Sequence, residues 1–143
     1  MKKIILLLFV STLLFEANAY DKLSLVERFT NASCAPCAQL NNAWYNATTQ
    51  NYVNSGLISH LVYNVNWPGP NDPMYLLNST DNMTRRTYYA VSYVPWIDIN
   101  GSKISETLGA FTSAVTNGNS QFAPFNIVIT QRALGETLIE VGI

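Results

Sequence analysis

The only two cysteines of this 143-residue chain stand three positions apart, as Cys34-Ala35-Pro36-Cys37, where a strand-like pattern gives way to a helical one. That junction constrains the fold more than anything else in the sequence. From Lys22 to Phe29 the period is two, with Leu23, Leu25, Glu27 and Phe29 on one face. Thr30 to Ser33 reads as a loop. Beyond it Cys37, Leu40, Trp44 and Ala47 recur at helical spacing, and Ser33 is positioned as an N-cap. Cys34 therefore falls on the first turn of a helix that follows a strand.

The placement sets the chemistry. Two cysteines separated by one helical turn can bring their sulfurs within bonding reach. Free N–H groups and the positive end of the helix dipole stabilise a thiolate there, lowering a thiol pKa from about 8.5 to between roughly 3.5 and 7.5. Cys34, facing solvent, is the expected nucleophile, and Cys37, on the apolar stripe, the sulfur that resolves a mixed disulfide. Ala35 and Pro36 lie between them, where a substrate segment meets the pair. The competing role is an inert staple in an exported protein. A bridge over so short a loop removes little unfolded-chain entropy, so stability is a weak reason for this spacing. Pro36 stands where a His would help to hold the thiolate, which favours a weaker oxidant.

Further along, Leu57 to Val65 reads as a second strand, closed by the loop Asn66-Trp67-Pro68-Gly69-Pro70-Asn71. Trp67, in that Pro-rich loop, is placed to border a binding groove. Asp72-Pro73 has the form of an N-cap followed by Pro at the first helical position, opening a helical stretch to about Tyr89 with a break near Asn78-Ser79. Trp96 to Ile99 and Ser102 to Ile104 are short strands joined by the tight-turn dipeptide Asn100-Gly101. Leu108, Phe111 and Val115 mark a last amphipathic helix, capped by Ser105 and stopped at Asn117-Gly118. This order predicts an α/β domain over residues 20–120 with a mixed sheet and helices on both faces. Residues 121–143 alternate at Phe125, Ile127 and Ile129, turn near Ala133-Leu134-Gly135, and resume at Thr137, as a β-hairpin-like segment that would begin a further β domain.

Taken together, Glu27 through Cys37, Asp72-Pro73-Met74, and Arg86-Thr87-Tyr88-Tyr89-Ala90-Val91 leading to Val94-Pro95 and Asn100-Gly101 resemble the thioredoxin-like superfamily. Within it they are most similar to bacterial cell-envelope proteins labelled outer-membrane-protein related. The resemblance covers roughly residues 22–118. It implies a thiol–disulfide oxidoreductase, a cis peptide at Pro95 facing the cysteines, and a Val94 backbone that pairs with an extended substrate segment. The chain departs from the family pattern before and after Val94-Pro95, where Ser92-Tyr93 and Trp96 stand. It departs again six residues before Cys34, where thioredoxins place a buried Asp that serves the second cysteine and this chain has Arg28. Glu27, one residue earlier, either points inward and takes that proton-accepting role or is a partly exposed strand carboxylate.

Composition closes off other classes. Met1-Lys2-Lys3, the apolar run Ile4 to Phe15 and Ala17-Asn18-Ala19 have the three-part layout of a secretory signal peptide, residues 1–19, with cleavage after Ala19. The apolar run is shorter than the roughly 20 residues of a membrane-spanning helix. Once residues 1–19 are set aside the chain is slightly acidic, with no basic stripe for nucleic acid. Two Cys and one His are too few for a four-ligand structural zinc site, so no metal or cofactor is expected beyond the cysteine pair itself. His60, in a strand, reads as a packed or surface residue, and Arg85-Arg86 as solvent-facing. The expected partners are thiols or disulfides of exported proteins and an upstream redox partner, in the periplasm, the cell envelope or outside the cell. The rival reading is a thioredoxin-fold binding module, without catalysis, in a larger envelope protein.

Overall fold

The computed structural model describes residues 20–123, 130–133 and 139–142. Residues 1–19, and with them the expected signal peptide, lie outside the described residues. The chain divides into two units.

The first, residues 22–121, is built on four strands: β2 (Ser24–Thr30), β3 (Ile58–Asn64), β4 (Trp96–Ile99) and β5 (Ser102–Lys103). Their order is β3-β2-β4-β5, with β2 and β3 parallel and the other pairs antiparallel. Between β2 and β3 runs a helical stretch made of α1 (Ala35–Leu40), a π-helical turn (Asn41–Tyr45) and α2 (Asn46–Asn54). Helices α3 (Pro73–Leu77) and α4 (Ser79–Tyr88) connect β3 to β4, and α5 (Leu108–Asn119) closes the unit. This mixed sheet flanked by helices is a thioredoxin-like fold.

Strand β2 is central, and that decides its burial. Val26 lies with Tyr45, Ile58, Ile97, Ile99, Phe111 and Val115 in one apolar cluster. Phe29 lies with Val65 and Val91 in another, packed by Tyr63, Trp67, Tyr89, Val94 and Trp96. Because both faces are covered, Ser24 and Val26 through Phe29 are all buried, whereas Leu23 precedes the strand and is half exposed. The expected one-sided alternation from Leu23 to Phe29 is therefore corrected: a strand covered on both faces loses the half-polar signature.

The long helical stretch corrects the apolar stripe as well. The π turn inserts an extra residue, so Tyr45 rather than Trp44 is fully buried, and Ala47 faces solvent. The break at Asn78 separates α3 from α4, and Asn78 caps α4 by accepting the Asp81 N–H. At Asn100-Gly101 both residues have positive φ, 52° and 79°, the requirement of the tight hairpin turn that joins β4 to β5. Helix α5 is capped by Thr107, not Ser105, and runs past Gly118.

Gly118 is needed for close approach. A Cβ there would collide with Ser24 Oγ and Asn100 Nδ2. Neither can give way, since Ser24 Oγ donates to Val115 O (3.4 Å) and accepts from Asn100 Nδ2 (3.2 Å), while Asn100 Oδ1 accepts the Leu25 N–H (3.0 Å). Gly118→Ala is accordingly expected to destabilise the unit by about 1–3 kcal/mol, the usual cost of overpacking. Urea unfolding should show a lower midpoint at unchanged slope.

In the second unit β1 (Tyr20–Asp21) pairs antiparallel with β6 (Phe122–Ala123), and β7 (Thr130–Ala133) pairs antiparallel with β8 (Ile139–Gly142). The alternation at Phe125, Ile127 and Ile129 and the turn at Leu134-Gly135 lie outside the described residues.

Candidate redox site

Strand β2 delivers the chain into the loop Asn31–Ser33, and Cys34 is itself the N-cap of α1, a place the sequence suggested for Ser33. Its extended backbone (φ −85°, ψ 98°) turns Sγ back over the helix start, where it accepts the Cys37 N–H at 3.1 Å. One orphan amide of the first turn is thus spent on the sulfur. Cys34 and Cys37 form a disulfide, with Cα atoms 5.2 Å apart.

Both cysteines are buried, Cys34 to 3% exposure and Cys37 to 2%. The expectation of a solvent-facing Cys34 is corrected for this oxidised form: the bond to Cys37 and the bond from its N–H draw the sulfur inward. Ala35 and Pro36 are exposed at the helix start. A cavity of about 200 Å³ opens beside the pair, walled by Asn31, Ala32, Ala38, Asn41 and Asn64 among others. Asn41 Oδ1 is buried with no hydrogen-bond partner among the described residues.

The loop before Cys34 is held by two side chains. Buried Asn31 donates through Nδ2 to Val65 O (2.7 Å) and Gly69 O (2.9 Å), and its Oδ1 accepts the Ser33 N–H (2.8 Å). Buried Asp72 caps α3 by accepting the Met74 and Tyr75 N–H groups on Oδ1, and its Oδ2 accepts the Ala32 N–H at 2.7 Å. The Asp72-Pro73-Met74 stretch thereby ties the start of α3 to the loop that presents Cys34. Gly69 lets the two loops touch, for a Cβ there would strike Ser33. Sequence reading found the cap at Asp72 but not its second carboxylate oxygen, nor Asn31. The available signal was an Asn opening a short loop, which commonly bonds its own backbone two residues on.

Of the residues expected to meet substrate, Val94 and Trp67 pack on the Phe29 cluster, at the end of the strand that leads to Cys34. The Val94–Pro95 and Trp67–Pro68 peptides are both cis, and Pro95 is half-buried. Trp67 is covered by the Arg86 guanidinium, 4.2 Å from the ring centroid.

Glu27 is not brought to the cysteines. Alternation along β2 sends it to the face opposite Val26 and Arg28, where it is fully buried and receives Arg85 Nε (2.6 Å), Tyr89 OH (2.6 Å) and Tyr63 OH (3.3 Å). Burial pushes its carboxyl up, but the Arg85 and Tyr89 bonds and the Arg85 charge outweigh that and hold it below the usual carboxylate value. Arg85 and Arg86 are correspondingly not free surface charges. Directly across from Glu27, Asp98 accepts the Trp96 indole N–H at 2.9 Å, and burial raises its carboxyl above the ordinary value.

The side chain that reaches the cysteine turn from β2 is Arg28. Buried to 2% exposure, it donates from Nη2 to Cys37 O at 3.3 Å and lies 4.0 Å over the Tyr45 ring. His60 meets the same Tyr45, its Nε2 2.9 Å from the hydroxyl, so it is a packed strand residue.

No protein-family model matches the chain, and neither does any curated protein sequence. Among solved structures, a crystal structure of an Agrobacterium tumefaciens protein is similar with a TM-score of 0.53 at 20% identity, over 86% of this chain and 57% of that one. Tryparedoxin II from C. fasciculata is similar with a TM-score of 0.44 at 14% identity, over 72% of this chain and 84% of that one. The first is a likeness of fold, and this chain spans little more than half of that protein's length.

Proposed function

We propose that the chain is a thiol–disulfide oxidoreductase acting on exported proteins, with Cys34 as the attacking sulfur and Cys37 as the resolving one. A single observation carries the reading: Cys34 Sγ caps a helix, accepts the Cys37 N–H, and is bonded to Cys37 beside a cavity. The same donor that meets the disulfide sulfur would meet a thiolate once the bond opens, and bonds to an ionised acceptor are about twice as strong as neutral ones.

In the reducing direction the Cys34 thiolate attacks one sulfur of a partner disulfide. A Cys34–partner bond forms, and the other partner sulfur leaves as a thiolate. Cys37, losing its proton to solvent, then attacks Cys34 Sγ, which re-forms the internal disulfide and releases the second partner thiolate. Two electrons pass to the partner, and an upstream dithiol must supply two more before another turn. Run backward, the same steps oxidise a partner dithiol. The signal-peptide pattern of residues 1–19, and the persistence of disulfides outside the cytosol, support exported proteins as substrates. Val94, Pro95, Trp67, Ala35 and Pro36 would border the bound segment.

The test is exchange by the purified protein. It should reduce insulin at the expense of a small dithiol, or oxidise a dithiol peptide. If it does neither, the domain is a binding module on the same fold.

A further inference from the structure

Arg28 lies on the central strand β2, buried to 2% exposure, and its surroundings make it an unusual cation. Transfer of a charge from water is costly unless it is paired. Here the offsets are one bond to Cys37 O and the Tyr45 ring, and among the described residues Nε has no hydrogen-bond partner. Among the described residues no carboxylate pairs with it. Glu27 and Asp98 are on the other face of the sheet, and Glu27 is engaged by Arg85. The elements packed on the Arg28 face add no acid: α1, the π turn, α2 and α5 contain no Asp, Glu, Lys, Arg or His. Among the described residues the titratable groups that face it are Tyr45 and His60. Burial keeps the Tyr45 phenol protonated, and burial with the Arg28 charge keeps the His60 imidazole below its usual value, so both are neutral near pH 7. The result is an uncompensated positive charge bonded to the turn that bears the redox pair.

We propose that Arg28 is a positioning residue of the redox pair, holding a fixed positive charge under the Cys34–Cys37 turn so that the reduced, thiolate-bearing form is favoured over the disulfide. The inference rests on the redox reading above and deepens it, because it assigns the poise of the pair. It acts against the effect of Pro36 and makes the pair a stronger oxidant than the helix start alone would. The governing reaction is protein disulfide plus two glutathiones giving protein dithiol plus one glutathione disulfide, with the Cys34 proton released to solvent when the thiolate forms. A charge in a buried site is little screened by salt, so the effect should persist at physiological ionic strength.

The experiment measures that equilibrium for the wild type, Arg28→Met and Arg28→Lys. Arg28→Met should shift the constant about tenfold toward the protein disulfide, equivalent to about 30 mV. It should also move the thiolate absorbance midpoint of Cys34 up by about one pH unit. Arg28→Lys keeps the charge and can make the single bond to Cys37 O, so it should stay within about threefold of the wild type, a rescue that a purely structural role does not predict. An Arg28→Met constant within twofold of the wild type, or an Arg28→Lys shift as large as that of Arg28→Met, overturns the proposal. Should Arg28→Met not fold, the wild type decides. Its single histidine, His60, feels the Arg28 charge, so after phosphine reduction a thiolate near Arg28 should raise the imidazole midpoint seen by NMR. Equal midpoints in the two redox states overturn the proposal. A wild-type pair that never exchanges with glutathione overturns the functional reading instead, and the His60 comparison still decides the role of Arg28.

Discussion

With Cys37 replaced by Ser, the protein should stop turning over and accumulate as mixed disulfides with its partners, all of them through Cys34. The first attack needs only the sulfur at the helix start, whereas release needs the second sulfur one turn away. Cys34→Ser should lose both trapping and turnover, down to the uncatalysed background. The two reduced thiols should also differ in reactivity. A helix-start thiol, its pKa lowered by the free N–H groups and the helix dipole, is ionised at pH 6 on the order of 100 times more than an ordinary thiol. Its weaker nucleophilicity takes back roughly tenfold, so a neutral alkylating reagent at pH 6 should label Cys34 on the order of tenfold faster than Cys37. Mass spectrometry of timed samples reads this directly. Equal rates, or partners captured through Cys37, would falsify the assignment of nucleophile and resolver. The burial of Cys34 in the disulfide sharpens the contrast: the measurement belongs to the reduced protein, whose Cys34 sulfur is no longer tied to Cys37.

Glu27→Gln should be the most damaging single change on the other face of the sheet. The carboxylate is fully buried and accepts three side-chain bonds, one of them from the Arg85 cation. Removing one partner of a buried pair typically costs about 3–5 kcal/mol, and hydrogen bonds to charged groups contribute about 1.5–3 kcal/mol each. Arg85 retains a third of its exposure and can turn to water, so about 2–4 kcal/mol is expected here. The loss should be pH-dependent with a definite sign. A carboxyl held below its unfolded value, about 4.3 for Glu, stabilises the fold above that pH, and the contribution is lost as pH falls through the lower folded value. Wild-type stability should therefore drop on acidification below about pH 4, and Glu27→Gln should lack that part of the drop. Asp98 works the other way. Its folded value is raised, so its contribution is full below the unfolded value and diminishes as pH rises through the folded one. Urea midpoints across the acid range for the wild type and Glu27→Gln give the comparison. A variant that tracks the wild type at every pH would show that Glu27 does not carry the acid dependence.

The Cys34–Cys37 junction, the succession of strands and helices, the Asp72 cap and the Asn100-Gly101 turn were all legible in the sequence, because each is fixed by neighbours within a few residues. Spacing at a helix start, a capping side chain and two positive φ angles are local facts. What sits on each face of β2 is not local. One strand placed between β3 and β4 is covered on both sides, so Glu27 and Arg28, adjacent in sequence, part company: one is tied to Arg85 and Tyr89, the other to the cysteine turn. The sequence showed a basic residue six positions before Cys34, and only tertiary packing decided that it reaches the Cys37 carbonyl without a compensating acid among the described residues. The inward turn of Cys34, the rotation of the apolar stripe from Trp44 to Tyr45, and the hold of Asn31 on Val65 and Gly69 belong to the same class. In each the partner lies on another element, and periodicity within one segment carries no information about what another segment brings against it.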